Sequence, residues 1–193
     1  GTGFENIVGC KPDEIFKKGV SLAFVPEDRL GMGLVGSLDM VDNMLIRSYK
    51  NNKGPLVDRK TPKQVCDELI EALEIVTPGT STPVRRLSGG NVQKVLLGRE
   101  IHYNPKVLMV AYPVRGLDIN SSFKIYDLLN EQKKKGVAVL FVGEDLDVLM
   151  EISDRIMVLC GGAVSGIVDP RTATKEDVGL LMVHAGGEKE AKA

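Results

Sequence analysis

Cysteine and histidine are scarce in this sequence, with three cysteines and two histidines among 193 residues. Cys10, Cys66 and Cys160 lie far apart, are odd in number and form no CxxC pair, which argues against a disulfide or zinc framework. His102 and His184 have no partner at metal-ligand spacing, so we interpret both as structural or surface residues. This usage fits a reducing cytosol.

Long apolar runs and a strong charge imbalance are also missing. No run is long enough to span a bilayer, and no signal peptide is recognisable, so we expect a soluble protein that docks onto a membrane protein at most. The net charge of -1 argues against a basic nucleic-acid footprint. The 43% of apolar residues can bury a substantial core, in one domain or one domain with a small appendage.

Alternating strands and helices dominate the second half of the chain. The apolar runs at 106–112 and 137–142 predict strands of a parallel sheet buried on both faces, and therefore an α/β fold. Apolar spacing and turn residues predict the other elements: helices over 90–103, 120–134 and 145–151, a hairpin over 155–168 that turns at Gly161 and Gly162, and a last helix from about Thr174.

The pattern of the first half predicts a partial core followed by a helical insertion. A short helix over 12–18 and a strand over 20–25 precede a helix over 37–48, in which Leu38, Val41, Leu45 and Ile46 should face inward. The next helix, 61–76, should begin with Thr61 as N-cap, Pro62 and a capping box completed by Gln64. The predicted segments are a partial core (1–36), a helical subdomain (37–83), the main core (84–185) and a flexible tail (186–193).

The stretch "LSGGN" places Ser88, Gly89 and Gly90 at the opening of a helix. Free backbone N–H groups and the positive end of the helix dipole favour an anion there, and glycines let it approach the backbone closely. The Ser88 hydroxyl adds a donor. Taken alone, the same letters also describe an ordinary serine-capped helix after a glycine turn.

The order of the neighbouring motifs favours the phosphate-binding interpretation. "LSGGNVQK" is followed by "KVLMV" and "PVRGLD", and "AFVPEDR" lies upstream. Over residues 12–182 this order resembles the ATP-binding-cassette (ABC) ATPases. On that resemblance, Leu87 to Asn91 matches the signature motif, Val107 to Val110 the Walker B strand, and Gly116, Leu117 and Asp118 the D-loop.

Four stretches, "VPEDR", "LSGGNVQK", "PVRGLD" and "VGLLM", narrow the resemblance to importers of simple sugars and nucleosides. In that branch one polypeptide carries two ATPase domains in tandem, and this chain is similar to the C-terminal one. The 193 residues contain no Gly-Lys-Ser/Thr phosphate loop. We expect that loop upstream of Gly1, so the predicted fold is a P-loop NTPase-like (ABC ATPase) parallel-sheet core, truncated at the N-terminus, with a helical subdomain.

Four positions depart from an active ATPase of this family. Ala111 and Tyr112 stand where Walker B needs Asp for magnesium and Glu to polarise the attacking water. Glu144 replaces the switch histidine, and a carboxylate there would repel a γ-phosphate. Glu27 replaces the Q-loop glutamine but could still bind metal or water. We therefore expect no catalytic residue in cis and no metal site.

The intact half of the motif set should serve another domain. In ABC dimers the signature of one domain closes over ATP held by the other, which implies nucleotide binding in trans by Leu87, Ser88, Gly89, Gly90, Asn91 and Gln93. Asn91 and Gln93 would orient the loop, and Asp118 would couple the two sites. Arg29 and Arg115 are interpreted either as phosphate contacts or as surface or interdomain ion pairs.

The resemblance also implies the surroundings of the chain. ATP and Mg²⁺ would be cofactors of the full-length assembly, and none is expected for this fragment alone. Partners would be a second ABC ATPase domain, transmembrane permease subunits touching about 37–48, and indirectly a substrate-binding protein, but no nucleic acid. The location would be cytoplasmic, on the inner face of the membrane.

Two other functions stay open on the sequence. The chain could be a non-catalytic ABC-like module used for dimerisation or regulation. It could also be an ABC ATPase of DNA repair or translation, although the near-neutral charge and the branch-specific "VPEDR" and "VGLLM" argue against that reading.

Overall fold

The computed structural model describes residues 4–49 and 56–183, so the predicted tail at 186–193 and His184 lie outside the described residues. The chain divides into two compact units, Gly1–Val142 and Gly143–Ala193. The first contains α1 (Pro12–Lys17), β1 (Leu22–Val25), a π-helical turn (Arg29–Gly33), α2 (Met40–Ser48), α3 (Lys60–Ala72), α4 (Gly89–His102), β2 (Val107–Ala111), α5 (Ile119–Lys134) and β3 (Ala138–Val142).

The three strands of the first unit form a parallel sheet in the order β1-β2-β3. The register places Ala23 beside Leu108 and Leu108 beside Val139. Helices fill both crossovers, α2 to α4 between β1 and β2 and α5 between β2 and β3. The predicted α/β architecture is therefore confirmed.

Only one face of this sheet is well buried in the described part of the chain. Ala23, Val25, Leu108 and Val110 belong to one core cluster with apolar residues of α4 and α5. On the other face, the exposed fractions are 54% for Leu22, 41% for Phe24, 43% for Leu140 and 40% for Val142.

The prediction of burial on both faces is therefore wrong for the described residues. Both crossovers step across the sheet in the same direction, from β1 to β2 and from β2 to β3. Right-handed crossovers in one direction place their helices on the same face of the sheet. An apolar run in the sequence shows that a strand can be covered on both sides, but the topology decides which side receives a helix.

Helix α2 begins later than the pattern suggests. Asp39, and not a residue near Ser37, caps it by accepting a hydrogen bond from the backbone N–H of Asp42 at 2.8 Å. Met40, Val41 and Met44 form its buried face, whereas Ile46 is exposed. The inward face predicted for 37–48 is thus confirmed at Val41 and wrong at Ile46, because Met40, Val41 and Met44 share one side of the helix and Ile46 lies on the opposite side.

Helix α3 also differs at both ends. Its N-cap is Arg59 and not Thr61, because Asp58 accepts hydrogen bonds from the backbone N–H groups of Lys60 and Thr61 at 2.8 and 3.3 Å. The helix ends at Ala72, and Glu74 adopts a φ of 49°, in the left-handed region that often follows a helix end. Val76, the last residue of the predicted helix, therefore lies beyond the observed one and is exposed.

The second unit consists of a helix, a β-hairpin and a second helix. It contains α6 (Leu146–Ile152), β4 (Ile156–Cys160), β5 (Ala163–Val168) and α7 (Lys175–Val183). The strands pair antiparallel, and both turn residues, Gly161 and Gly162, have positive φ angles of 59° and 81°. Two consecutive positive φ angles suit the tight turn of a twisted hairpin, so the hairpin predicted from the two glycines is confirmed.

Candidate functional site

The turn before α4 presents an exposed hydroxyl at a helix N-terminus. Ser88 is the N-cap of α4, and its Oγ accepts a hydrogen bond from the backbone N–H of Asn91 at 3.4 Å. Ser88 and Gly89 are exposed to solvent, whereas the rest of α4 from Val92 to Glu100 is buried. A deeply embedded helix therefore presents its positive end and free N–H groups at the surface, a suitable environment for an anion.

Asn91 ties this turn to the segment after α3. Its Nδ2 donates to Ser88 Oγ at 2.9 Å, and its Oδ1 accepts from the backbone N–H of Val76 at 2.9 Å. Leu87, immediately before the cap, is half-buried against the core cluster. The asparagine side chain thus joins the cap hydroxyl to a neighbouring loop, which limits the orientations that the hydroxyl can adopt.

The N-termini of α4 and α5 approach each other at Gly90. A Cβ atom on Gly90 would lie 2.9 Å from Ser121 Oγ, so the close approach requires glycine unless Ser121 moves. Ser121 belongs to the first turn of α5, and its hydroxyl donates to Asp118 Oδ2 at 2.6 Å. Asp118, predicted in the D-loop, and the signature turn, Ser88–Gly90, predicted in the signature motif, are therefore neighbours through Ser121.

Asp118 is the N-cap of α5 and is held in its charged form. The hydroxyl of Ser121, followed by the backbone N–H of the same residue, donates to the carboxylate and holds the pKa of Asp118 below its usual range. Its negative charge faces the N–H groups that begin α5, so it is already partnered within its own helix.

A pH dependence follows from the lowered pKa of Asp118. A carboxyl group whose pKa falls on folding contributes stability above its unfolded value, about 3.9, and loses that contribution as the pH falls through the folded value. We expect the start of α5 to loosen below about pH 4, seen as a titration of the Ser121 amide resonance by NMR. Asp118→Asn should remove this transition and Asp127→Asn should retain it; the reverse pattern would contradict the assignment.

The loop between β2 and α5 follows the strand end that is predicted to lack the Walker B carboxylates. Ala111 closes β2, and Tyr112 follows with a φ of 47°, an unfavourable left-handed conformation for an aromatic residue. Gly116 has a φ of 70° and open space around its Cβ position, so backbone conformation alone explains this glycine. Leu117 reaches back towards the signature turn, 3.8 Å from the Cβ position of Gly89.

Two carboxylate positions predicted from the sequence differ in their surroundings. Glu27 lies two residues beyond β1, at the carboxyl edge of the parallel sheet, and forms an exposed ion pair with Arg115. Arg115 also lies 6.0 Å from the centre of the Tyr112 ring. Glu144 is exposed and belongs to the second unit. Within 4–49 and 56–183, no group of three or more His, Cys, Asp or Glu side chains could hold a metal ion.

Arg29 is the residue whose position the sequence interpretation did not resolve. Its Nε donates to Oε1 of Gln93 at 2.7 Å, and its Nη2 donates to the backbone carbonyl of Arg115. Arg115 forms an ion pair with Glu27, as one of the two interpretations predicts. Arg29 instead forms hydrogen bonds within the chain, which neither interpretation described. The usable signal was an arginine placed just after a strand end, in "VPEDR", but its partners lie 64 and 86 positions away.

No protein-family model matches the chain. It is 40% identical over 159 residues to the galactose/methyl galactoside import ATP-binding proteins MglA of Shigella boydii and of Escherichia coli K12, which covers 81% of this chain and 31% of each relative. The chain thus spans about a third of the length of these curated relatives. No helix in the described residues has the length and apolar character needed to cross a membrane.

Solved structures share the fold at lower identity. The dimeric ATP-binding cassette MJ0796 bound to ADP and Pi superposes with a TM-score of 0.69 at 23% identity, over 86% of this chain and 70% of that one. A nucleotide-free ATP-binding cassette of an ABC transporter gives a TM-score of 0.67 at 20% identity, over 92% of this chain and 70% of that one. The chain therefore has the P-loop NTPase-like α/β fold of ATP-binding cassettes, as the sequence predicts.

Proposed function

We propose that this chain is part of the ATP-binding, energy-coupling component of an ABC importer for simple sugars or nucleosides. In this proposal the Ser88–Gly90 turn completes an ATP site whose phosphate loop and catalytic carboxylate belong to a second ATPase domain. The observation that carries it is the contrast within one stretch of chain: an exposed, firmly supported signature turn beside a strand end that holds Ala111 and Tyr112.

The chemistry of the two halves supports an assignment in trans. A methyl group at Ala111 cannot ligate magnesium, and a phenol with an ordinary pKa of about 10 is a poor base at neutral pH. Of the two carboxylates just beyond β1, Glu27 is paired with Arg115, and Asp28 accepts a hydrogen bond from the backbone N–H of Gly31. By contrast, Ser88 is exposed at the N-terminus of a buried helix, and Gly90 allows a second helix N-terminus to approach. Such a turn suits a γ-phosphate delivered from outside.

The relatives support the proposed surroundings. Because MglA is named as a galactose/methyl galactoside import ATP-binding protein, it supports a sugar as the solute class. The nucleoside alternative and permease subunits as membrane partners rest on the sequence motifs. A substrate-binding protein would act indirectly, and ATP and Mg²⁺ would belong to the complete assembly. In segment 37–48, proposed to meet the permease, Ile46 is exposed beside Tyr49 and offers an apolar contact on the inner face of the membrane.

A second function is favoured by a different observation. The exposed apolar face of the sheet, with Leu22, Phe24, Leu140 and Val142, is the kind of surface that joins protein chains. This face supports the alternative of a non-catalytic ABC-like module for dimerisation or regulation. Such an association would require neither ATP nor Ser88.

The two functions differ in their dependence on nucleotide. The chain would be mixed with a second ATPase domain that has an intact phosphate loop and a Walker B Glu→Gln change, so that ATP is bound and not hydrolysed. We expect binding at least about tenfold tighter with Mg-ATP than without, a difference of about 1.4 kcal/mol. Ser88→Glu should remove the gain, and Ser81→Glu, the same change in an exposed loop, should keep it. Equal binding without ATP would support the dimerisation module instead.

A further inference from the structure

The side chain of Arg29 connects three separate elements of the first unit. Arg29 opens the π-helical turn after β1, donates to Gln93 on α4, and donates to the carbonyl of Arg115 in the loop after β2. Its Nη1 also lies 3.5 Å from the Cβ position of Gly89 in the signature turn. One guanidinium therefore contacts the turn after β1, helix α4 and the loop after β2.

The turn that carries Arg29 is itself fixed from both sides. Asp28 caps it by accepting from the backbone N–H of Gly31 at 2.8 Å. At its other end, Arg99 of α4 donates to the carbonyl of Gly33 at 2.7 Å, and a Cβ on Gly33 would lie 2.7 Å from Leu96. The turn therefore packs tightly on α4, and Arg29 projects from a well-supported base. Single π-turns of this kind occur frequently at functional sites.

Gln93 depends on Arg29 for its polar contact. Its side chain is 0% exposed, Oε1 accepts from Arg29, and Nε2 has no hydrogen-bond partner. Removal of the arginine would leave both ends of a fully buried amide unsatisfied, which is unfavourable. Gln93 lies in the second turn of α4, three residues after Gly90, so the bond from Arg29 holds α4 about one turn from the signature turn.

The chemistry of the group suits a fixed connection. Burial lowers the pKa of Arg29, and the nearby charge of Glu27 opposes that shift. An arginine nevertheless keeps its charge, and its planar fork directs Nε and Nη2 to two acceptors at the same time. A lysine ammonium could keep the charge but could not reproduce two parallel contacts from one plane.

We propose that Arg29 is a positioning residue, which fixes the signature turn at 88–90 relative to the 112–118 loop so that both reach a partner's ATP together. The role of Arg29 in ATP turnover rests on the function proposed above. The geometric part is independent of nucleotide, because every contact involved lies within this chain.

Hydrogen exchange of the chain alone tests the geometric part. In Arg29→Ala we expect the amides of Val92 and Leu117, which close the two segments, to exchange at least about tenfold faster, as loss of hydrogen bonds to a charged group implies. Arg29→Lys should not restore protection and covers the case in which the alanine variant fails to fold. Arg59→Ala, which removes an arginine paired with Asp39 and Asp42, should leave both amides unchanged.

A third variant separates the two contacts. Gln93→Met removes the buried acceptor but leaves the bond from Arg29 to the carbonyl of Arg115, so exchange should rise at 88–92 and not at 112–118. Exchange that rises in only one segment in Arg29→Ala, or full protection in Arg29→Lys, would overturn the proposal.

Turnover by the assembled ATPase gives the functional readout. Arg29→Ala should lower kcat about tenfold or more while KM for ATP changes less than twofold, because the partner's own phosphate loop still binds the nucleotide. An unchanged kcat alongside faster exchange at both segments would also overturn the positioning role. If Ser88→Glu leaves turnover intact, the proposed function in trans is wrong. The hydrogen-exchange experiment still tests whether Arg29 fixes the two segments, because it does not depend on ATP.

Discussion

Replacement of Ser88 by glutamate is expected to reduce ATP turnover of the assembled transporter at least about 100-fold, the range seen when one preorganised donor to a developing charge is lost. The variant exchanges a hydroxyl donor for a carboxylate at the exposed start of α4. A γ-phosphate approaching that turn would then meet a negative charge instead of a donor. Transport of the solute should fall to the same extent.

The fold should tolerate this change. A carboxylate near a helix N-terminus interacts favourably with the dipole, so the thermal midpoint of the variant should stay close to that of the parent. Ser81→Glu adds the same charge in an exposed loop and should retain full turnover. Unchanged turnover in Ser88→Glu would exclude the signature turn from the ATP site.

Much of the fold was predictable because local rules and tertiary contacts agree. The strands at 107–111 and 138–142 are bounded by turn residues and carry continuous apolar runs. The hairpin was predicted from Gly161 and Gly162, whose positive φ angles are the conformation that glycine favours. Helices α4 and α5 have side-chain caps in Ser88 and Asp118, which mark their starts in the sequence.

The errors arise from capping contacts and from sheet topology, neither of which a local sequence pattern contains. At α3, Asp58 lies three residues before the expected cap Thr61, and its carboxylate accepts the hydrogen bonds of the first N–H groups. On the sheet, the direction of the crossovers leaves Leu22 and Leu140 exposed although their residue types suit a buried strand. Neither outcome can be read from spacing alone.

The candidate site shows the same division. The sequence alone shows that Ala111 and Tyr112 carry no carboxylate, so the missing magnesium ligand and general base were predictable. The contacts of the site were not predictable: the pairing of Glu27 with Arg115 and the bonds of Arg29 join positions more than 60 residues apart. The order of the motifs therefore predicts which segments contribute to the candidate site. The contacts that fix these segments relative to one another, such as those between α4 and the π-helical turn, are seen only in the structure.

The second large effect is expected at a buried ion pair near the C-terminal end of α4. Arg99 and Glu100 are 6% and 2% exposed, and Arg99 Nε donates to Glu100 Oε1 at 2.9 Å. Arg47 of α2 supplies a further contact, Nη2 to Glu100 Oε2 at 3.1 Å. Together with the bond from Arg99 to the carbonyl of Gly33, these charges connect α4 to α2 and to the π-helical turn.

Arg99→Ala should lower the free energy of unfolding by about 3–5 kcal/mol, because it leaves a buried carboxylate with a single, partly exposed partner. Urea denaturation followed by circular dichroism measures the change. Arg59→Ala, which breaks the ion pairs of an exposed arginine with Asp39 and Asp42, should cost no more than about 1 kcal/mol. Equal losses for the two variants would mean that Glu100 is solvated or compensated in another way.

The double variant Arg99→Met with Glu100→Leu decides whether charge or packing is responsible. If the loss in Arg99→Ala comes from the uncompensated charge of Glu100, removal of both charges with apolar groups of similar size should recover most of it. The double variant would then be more stable than Arg99→Ala, although two buried residues have changed. A double variant that is less stable than Arg99→Ala would instead assign the loss to packing of α4 against the π-helical turn and to the hydrogen bond from Arg99 to the carbonyl of Gly33.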